Sequence, residues 1–547
     1  MVNLRRELGV LWICAVGALL GAAACGRATT PVSTLSLMLS ADAVKLTPGQ
    51  ALTVRVQVAA TVPLGAAVEL SAVGEDTTTL PAGLSVAFEP ASLTLPDSGM
   101  GTAELRMAAL PTALTGTYSL VVTARSDSYK DSARLKVTLS GAGQGWLRQI
   151  GTTGTEVLTA LAVDSTGSLY VAGQTTGGFA GHGNNGQFDG YLLKYQPSGA
   201  LQWVQTLTTV ASDVVTAIAV DAADNTYVAG YTYGAFPGNV AAGKADGFVA
   251  KYSPSGARVW LTQLGTPEID QLTALAVDPT GGVVAVGATE GGFGLGTNKG
   301  PIGTSDVVVV KLTADGKPVF TQQLGTDQNE RPTAVAVDAA GAIYLVGSTL
   351  GAFPGVTPAG NYDVFIIKLL GDGSQSWLRQ IGTPYEEHLT AALIDGKGSL
   401  IAAGWTRGTF ASQIEMGGQD GLLLGYSPDG KSVLTRQFGT SYNDILNGIT
   451  RVGDSLYTIG STRGTFPDQI PSGAADIFVA RHAPDGRIGW LTQTGTDQAD
   501  AGNAVAATAD ALYLGGTTFG AFPGQTRQGD SDGYVIQLLG AATAQGY

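Results

Sequence analysis

Two acidic positions recur at fixed places along most of the chain. One set is Glu156, Asp213, Asp270, Glu330, Glu387, Asp444 and Asp500; the other is Asp189, Asp246, Asp306, Asp363, Asp420, Asp476 and Asp532. Clustered carboxylates are hard oxygen donors, suited to calcium or to a cationic ligand. Short acidic side chains have a second use: they accept backbone N–H groups and fix turns. Repetition favours that structural use, since a ligand bound once does not need one residue in every repeat. Calcium is the one cofactor the pattern allows, and none is required.

Chemistry that acts once should sit where the repeats differ. The candidates for a binding face are His182, Asn184 and Asn185; Tyr231 and Tyr233; and Glu386, His388, Trp405 and Arg407. They mix amide, aromatic and charged groups, as carbohydrate or peptide recognition requires. A further series, Phe179, Phe236, Phe293, Phe353, Phe410, Phe466 and Phe522, would either rim a sugar-binding face or, as preferred here, pack between repeats.

Catalytic spacing is missing. The chain has three histidines, His182, His388 and His482, with no Gly-x-Ser-x-Gly elbow, His-Glu-x-x-His pair, phosphate-binding loop or Asp-x-Asp-x-Asp-Gly calcium loop. No catalytic residue and no metal ligand is assigned, and the expectation is a non-enzymatic protein. The enzyme alternative is a polysaccharide hydrolase or lyase using acidic pairs with His388 or His182.

The elements that would hold these residues come from an internal repeat. Trp146, Trp203, Trp260, Phe320, Trp377, Leu434 and Trp490 open successive units 56 to 60 residues apart. Each unit contains four short apolar strands separated by tight turns and one longer loop, as in Thr159–Asp164, Leu169–Thr175, Tyr191–Tyr195 and Leu201–Leu207. Four strands repeated seven times predict a seven-bladed β-propeller over residues 145–547. Because the array starts on a fourth strand and ends on a third, the last blade must combine three late strands with one early strand. Both acidic sets then fall on connections that leave one face, together with all the long loops.

The recurring Gly-Thr, Ala-x-Ala-Val-Asp and Gly-x-Thr segments, with the Asp before the third strand, resemble the bacterial β-propeller repeat family abbreviated SBBP. That resemblance implies the propeller fold and an extracytoplasmic setting, and it assigns no activity.

Residues 34–141 alternate apolar and polar positions in about seven segments, which predicts an immunoglobulin-like β-sandwich. Gly116-Thr117-Tyr118 resembles a tyrosine corner. Ahead of it, Arg5 and Arg6 precede an apolar run ending in small residues, the layout of an export signal over residues 1–25, followed by a linker over 26–33. Leu20 to Gly26 resembles a bacterial lipobox with Cys25 as the lipidation site, although Ala22 stands where Leu is usual. The only other cysteine, Cys14, lies within the signal, so no internal disulfide is expected.

A net charge of −14 excludes a nucleic-acid partner on electrostatic grounds. The sequence therefore predicts an all-β, monomeric lipoprotein anchored at the outer membrane or cell surface, with the periplasm as the other address. Its long-loop face would engage a protein or polysaccharide, and a purely structural spacer is the remaining alternative.

Overall fold

The computed structural model describes residues 35–46, 51–61, 67–75, 80, 84–95, 99–109, 116–126, 129–139 and 144–539, except 180, 295, 296, 302, 468 and 470. The expected export signal over residues 1–25, Cys25 and the expected linker over 26–33 lie outside the described residues. Every described regular element is a β-strand, and no helix occurs among them.

The first unit contains β1 (Leu35–Leu39), β2 (Ala43–Leu46), β3 (Ala51–Ala60), β4 (Val68–Gly74), β5 (Leu84–Glu89), β6 (Ser92–Leu93), β7 (Met100–Ala109), β8 (Gly116–Arg125) and β9 (Lys130–Leu139). One sheet runs β1-β3-β7-β5 and the other β2-β9-β8-β4-β6, with β2 parallel to β9. Period-two alternation sends Val54, Val56, Val58, Leu105 and Met107 inward from one sheet, and Leu120, Val122, Leu135 and Val137 from the other, into one core. The sequence reading missed β2 and β4. The former is short, and the latter follows the Pro63–Gly65 stretch, although its Val68 and Leu70 keep the alternation.

Tyr118 does more than serve its own sheet. It lies within electrostatic reach of Tyr457 and Arg481 in the repeat region; burial pushes its hydroxyl up to about 12, with Arg481 opposing the rise. Thr117 shares a small cleft with Phe466, Pro467, Ile488 and Trp490, so β8 meets the outer edge of the sixth repeat sheet.

The repeat region forms seven four-stranded sheets. Sheet 1 comprises Glu156–Val163, Leu169–Thr175, Asp189–Tyr195 and Leu201–Leu207, hydrogen-bonded in that order, and sheets 2 to 6 repeat the arrangement. Sheet 7 takes Asp500–Ala507, Ala511–Thr518 and Asp532–Leu539 and adds β10 (Gln144–Ile150) from the start of the array. First strands of successive sheets pack on one another, and that of sheet 7 packs on that of sheet 1, which closes the ring. Second and third strands are buried along nearly their whole length because both faces are covered by neighbouring sheets.

Two sets of polar bonds stitch the sheets together. Each first strand carries a bulge, and the threonine there reaches the next first strand: Thr159 to the Val215 carbonyl, Thr216 to Leu272, Thr273 to Pro332, Thr333 to Leu389 and Thr390 to Leu446, at 2.6 to 2.9 Å. Asn447 does the same to Gly502. On the short-turn face, the fourth-strand indole and third-strand ammonium of one sheet converge on a turn carbonyl of the next. Trp203 and Lys194 both donate to Pro254, and Trp377 and Lys368 both donate to Pro428.

Candidate functional site

The register places Glu156, Thr175 and Asp189 in one row across sheet 1, and the same row recurs as Glu387, Thr406 and Asp420 in sheet 5. Both acidic sets therefore lie at the end of the sheets that carries the long loops. All fourteen side chains are buried, however, with at most 2% exposed. The carboxylates are therefore closed off from solvent rather than presented as an open ring.

Each carboxylate accepts bonds from local structure, although one oxygen each of Asp189, Asp246, Asp270, Asp306, Asp420, Asp444 and Asp500 has no partner among the described residues. Asp246 accepts Ala242 N and Gln263 Nε2, both at 2.7 Å, which ties the long loop to the fourth strand. Asp270 accepts Thr266 N at 2.5 Å and Thr266 Oγ1 at 2.8 Å. The second strand contributes as well: Thr406 Oγ1 donates to Glu387 at 2.9 Å.

The two sets meet across each junction. A Cβ on Gly439 would lie 2.7 Å from Asp420 Oδ1 and 2.8 Å from Asp444 Oδ2, so the recurring Gly-Thr glycine is required by the paired carboxylates beside it. Burial, with a smaller contribution from the facing acid, raises Asp213, Asp270, Glu330, Glu387, Asp444 and Asp500. Among the described residues, no three His, Cys, Asp or Glu side chains converge as a metal site.

The repeat breaks most clearly where sheet 4 meets sheet 5. The ring of Tyr362 lies 4.8 Å from that of His388, and His388 lies 4.4 Å from that of Trp405, centroid to centroid. Arg331 caps the column, its guanidinium 5.1 Å from the Tyr362 centroid. Ser348 Oγ holds His388 Nδ1 at 3.0 Å. Tyr362 and Glu386 form a parallel bridge, and Arg407 pairs with the Glu386 carboxylate at 3.2 Å.

Burial lowers the His388 imidazole to about 4; Glu386 opposes the shift, while Arg331 and Arg407 reinforce it. The ring is therefore neutral at pH 7. The His388–Trp405 register pair is Val157–Gln174, Val214–Tyr231, Gln271–Ala288, Arg331–Ser348, Ile445–Ser461 and Ala501–Thr517 in the other sheets, so the column occurs once.

The remaining sequence candidates stay apart from it. Asn184 donates to the Thr175 carbonyl and accepts Gly186 N, Asn185 N donates to Asp189, and exposed His182 uses its backbone N–H on Phe179. These are bonds that shape a loop. Tyr231 and exposed Tyr233 pack edge to face at 6.0 Å. No hydrogen bond, ion pair or ring contact among the described residues joins either group to the column. Phe236, Phe293, Phe353, Phe410, Phe466 and Phe522 are buried, several of them packed edge-on against third-strand rings, which leaves no exposed aromatic rim from those six.

Sequence reasoning missed Arg331, Ser348 and Tyr362. They precede the fifth unit in the chain and become its neighbours through the packing of sheet 4 on sheet 5 and the Tyr362–Glu386 bridge.

Residues 145–180 match the family model described as Beta-propeller repeat, SBBP. The chain carries a β-propeller repeat. A curated relative, the Regulatory protein FlaEY of Caulobacter vibrioides, is 23% identical over 333 residues, covering 54% of this chain and 35% of the relative. The chain thus spans about a third of that protein's length.

Among solved structures, a quinonprotein alcohol dehydrogenase-like protein from Bacteroides thetaiotaomicron is 8% identical over 83% of this chain and 94% of its own, with a TM-score of 0.34. A puromycin hydrolase is 13% identical over 66% and 50%, TM-score 0.40. A rhamnogalacturonan lyase is 11% identical over 86% and 69%, TM-score 0.27. At these scores none of them bears on chemistry.

Proposed function

We propose that the protein is a non-enzymatic, exported binding protein, lipidated at Cys25 and held at the outer membrane or cell surface. In this reading an immunoglobulin-like sandwich carries a seven-bladed propeller with a three-plus-one closing blade. The long-loop face engages a protein or glycan. One observation carries the reading: the Arg331–Tyr362–His388–Trp405 column with its Glu386–Arg407 pair, the clearest break in a repeated face. Buried carboxylates that recur in every sheet shape the scaffold, and the site is where recurrence stops.

The test is a screen of the full chain and its Trp405→Ala variant against arrays of bacterial glycans and envelope proteins. At least one array partner should bind the parent and lose about tenfold or more in affinity with the variant. Binding that ignores substitution anywhere on the long-loop face would count against the reading, as would the absence of any partner on both arrays. Metabolic labelling with palmitate tests the anchor: label should enter the parent and be absent from Cys25→Ala.

A further inference from the structure

The exposed apolar side chains of the long-loop face fall mainly in two groups, Val210, Tyr233 and Val240 around sheet 2 and a larger one around sheet 5. Tyr385, Ile414, Met416 and Tyr442 all stand exposed there, Ile414 at 72% and Tyr442 at 60%. Met416 and Tyr442 belong to different sheets and are brought together by Gly417, where a Cβ would meet the Tyr442 carbonyl at 2.5 Å. Tyr385 directly precedes Glu386, which bonds Arg407, and half-buried Trp405 lies on the same sheet end.

Two tyrosines, a tryptophan, an isoleucine, a methionine and arginines make up the composition of a protein interface centre. Ile414 and Met416 also weigh against a sugar, because their aliphatic side chains offer neither a hydrogen-bonding group nor a flat face for a hydroxyl-covered ring.

The charge at this place differs from that of the rest of the molecule. Arg331, Arg407 and Arg463 are exposed on sheets 4, 5 and 6 in a chain whose net charge is −14. Arg331 and Arg463 form no ion pair with a described residue. The solvent-reachable carboxylates of the patch are Glu386, occupied by Arg407, and Glu415, bonded to Thr409 Oγ1 at 3.1 Å; Glu387, Asp420 and Asp444 lie buried beneath it. An apolar centre bordered by unpaired guanidiniums complements a ligand with an apolar anchor between carboxylates.

We propose that the long-loop end of sheet 5 is a docking surface for a protein segment presenting an aromatic or aliphatic anchor flanked by acidic residues. This rests on the reading of the long-loop face as the binding face, and it names the partner's chemistry.

The probe is a set of short synthetic peptides, each with a Phe or Leu anchor flanked by Asp and Glu, and a matched set flanked by Lys and Arg. Binding to the full chain is followed by fluorescence anisotropy at low and high salt. The acidic set should bind about tenfold tighter than the basic set, and this preference should shrink as salt screens the guanidiniums. An Ile414→Ser/Met416→Ser double variant, altered only at exposed positions, should keep its melting temperature and lose about tenfold in affinity.

Equal binding of both sets, preference for the basic set, or indifference to the double variant would overturn the proposal. If acidic peptides fail while an array glycan binds in a Trp405-dependent way, this proposal falls and the broader reading of the face stands. If neither binds, both fall.

Discussion

Asn503 Nδ2 donates to the Leu158 carbonyl at 2.8 Å, joining residues 345 positions apart. It is the last of the bonds that run from each first strand to the next, so the ring of sheets closes with the same kind of contact that builds it. β10 closes the outside in parallel: Trp146 Nε1 and Gln537 Nε2 both reach the Pro197 carbonyl, at 2.9 and 3.3 Å. Gln537 stands where sheets 1 to 4 use lysine.

Closure should therefore dominate stability. Asn503→Ala should cost about 1 kcal/mol, and Trp146→Ala, which removes a buried ring, about 3 to 5 kcal/mol in urea unfolding. Trp203→Ala removes the equivalent indole within the array and serves as the comparison. Deleting residues 145–152 should destabilise all seven sheets together, because it reopens two sheet edges. Unfolding confined to sheet 7 would contradict cooperative closure.

The buried carboxylate pairs make mild acid favourable. Burial raises Asp213 to about 6 from its ordinary 3.8, so the fold prefers its protonated form. Its contribution is fully present below pH 3.8 and lost as pH rises through about 6, falling by about 1.4 kcal/mol for each pH unit between those two values. Asp213→Asn should flatten that slope, since an amide does not titrate. Unfolding at pH 4.5 and pH 8, with and without calcium, checks this. A variant that loses most at pH 8, or a parent stabilised by calcium, would show that the carboxylates hold a cation.

His482 acts in the opposite direction. It is fully buried, bonded to Thr458 Oγ1 at 2.8 Å and to the Gly486 carbonyl at 3.2 Å, and burial lowers it to about 4 from 6.5. Its contribution is complete above pH 6.5 and lost as pH falls through about 4. A Thr458→Leu/His482→Leu variant copies the Leu345 and Leu369 of sheet 4 and should remove this part of the acid sensitivity in thermal melts taken from pH 3 to 8. An unchanged acid profile would place that sensitivity elsewhere.

His388 should contribute no pH step to binding between pH 5 and 8, because its imidazole is lowered to about 4 and is already neutral there. Titrating the affinity of an acidic peptide over that range tests the point; a sharp loss near pH 6.5 would mean that the ring is exposed and charged.

How much of this was legible beforehand depends on the range of the contact. The 57-residue spacing from Trp146 to Trp203 and the alternation in β3 and β7 expose the sheets directly, because strand pattern is local. The two acidic sets were visible as well, but whether they open to solvent depends on loops folding over Asp246 and on a neighbouring sheet pressing against Asp270. Glu386, His388, Trp405 and Arg407 stood out as exceptions within one unit. Their partners Arg331 and Tyr362 did not, because the junction between sheets brings together residues from two units. The bulge threonines, such as Thr159 and Thr216, are repeated in sequence, yet their role needs the register shift that turns them toward the next sheet.

The central claim is that binding occurs at the long-loop end of sheet 5. It is tested most directly by placing a photo-crosslinking amino acid at Tyr385 on that face, or at exposed Lys397 on the short-turn face of the same sheet, in cells producing the full chain. Position 385 should yield a discrete crosslinked partner, competed by acidic peptide, and position 397 none. A partner captured from position 397 alone, or equally from both, would contradict that claim.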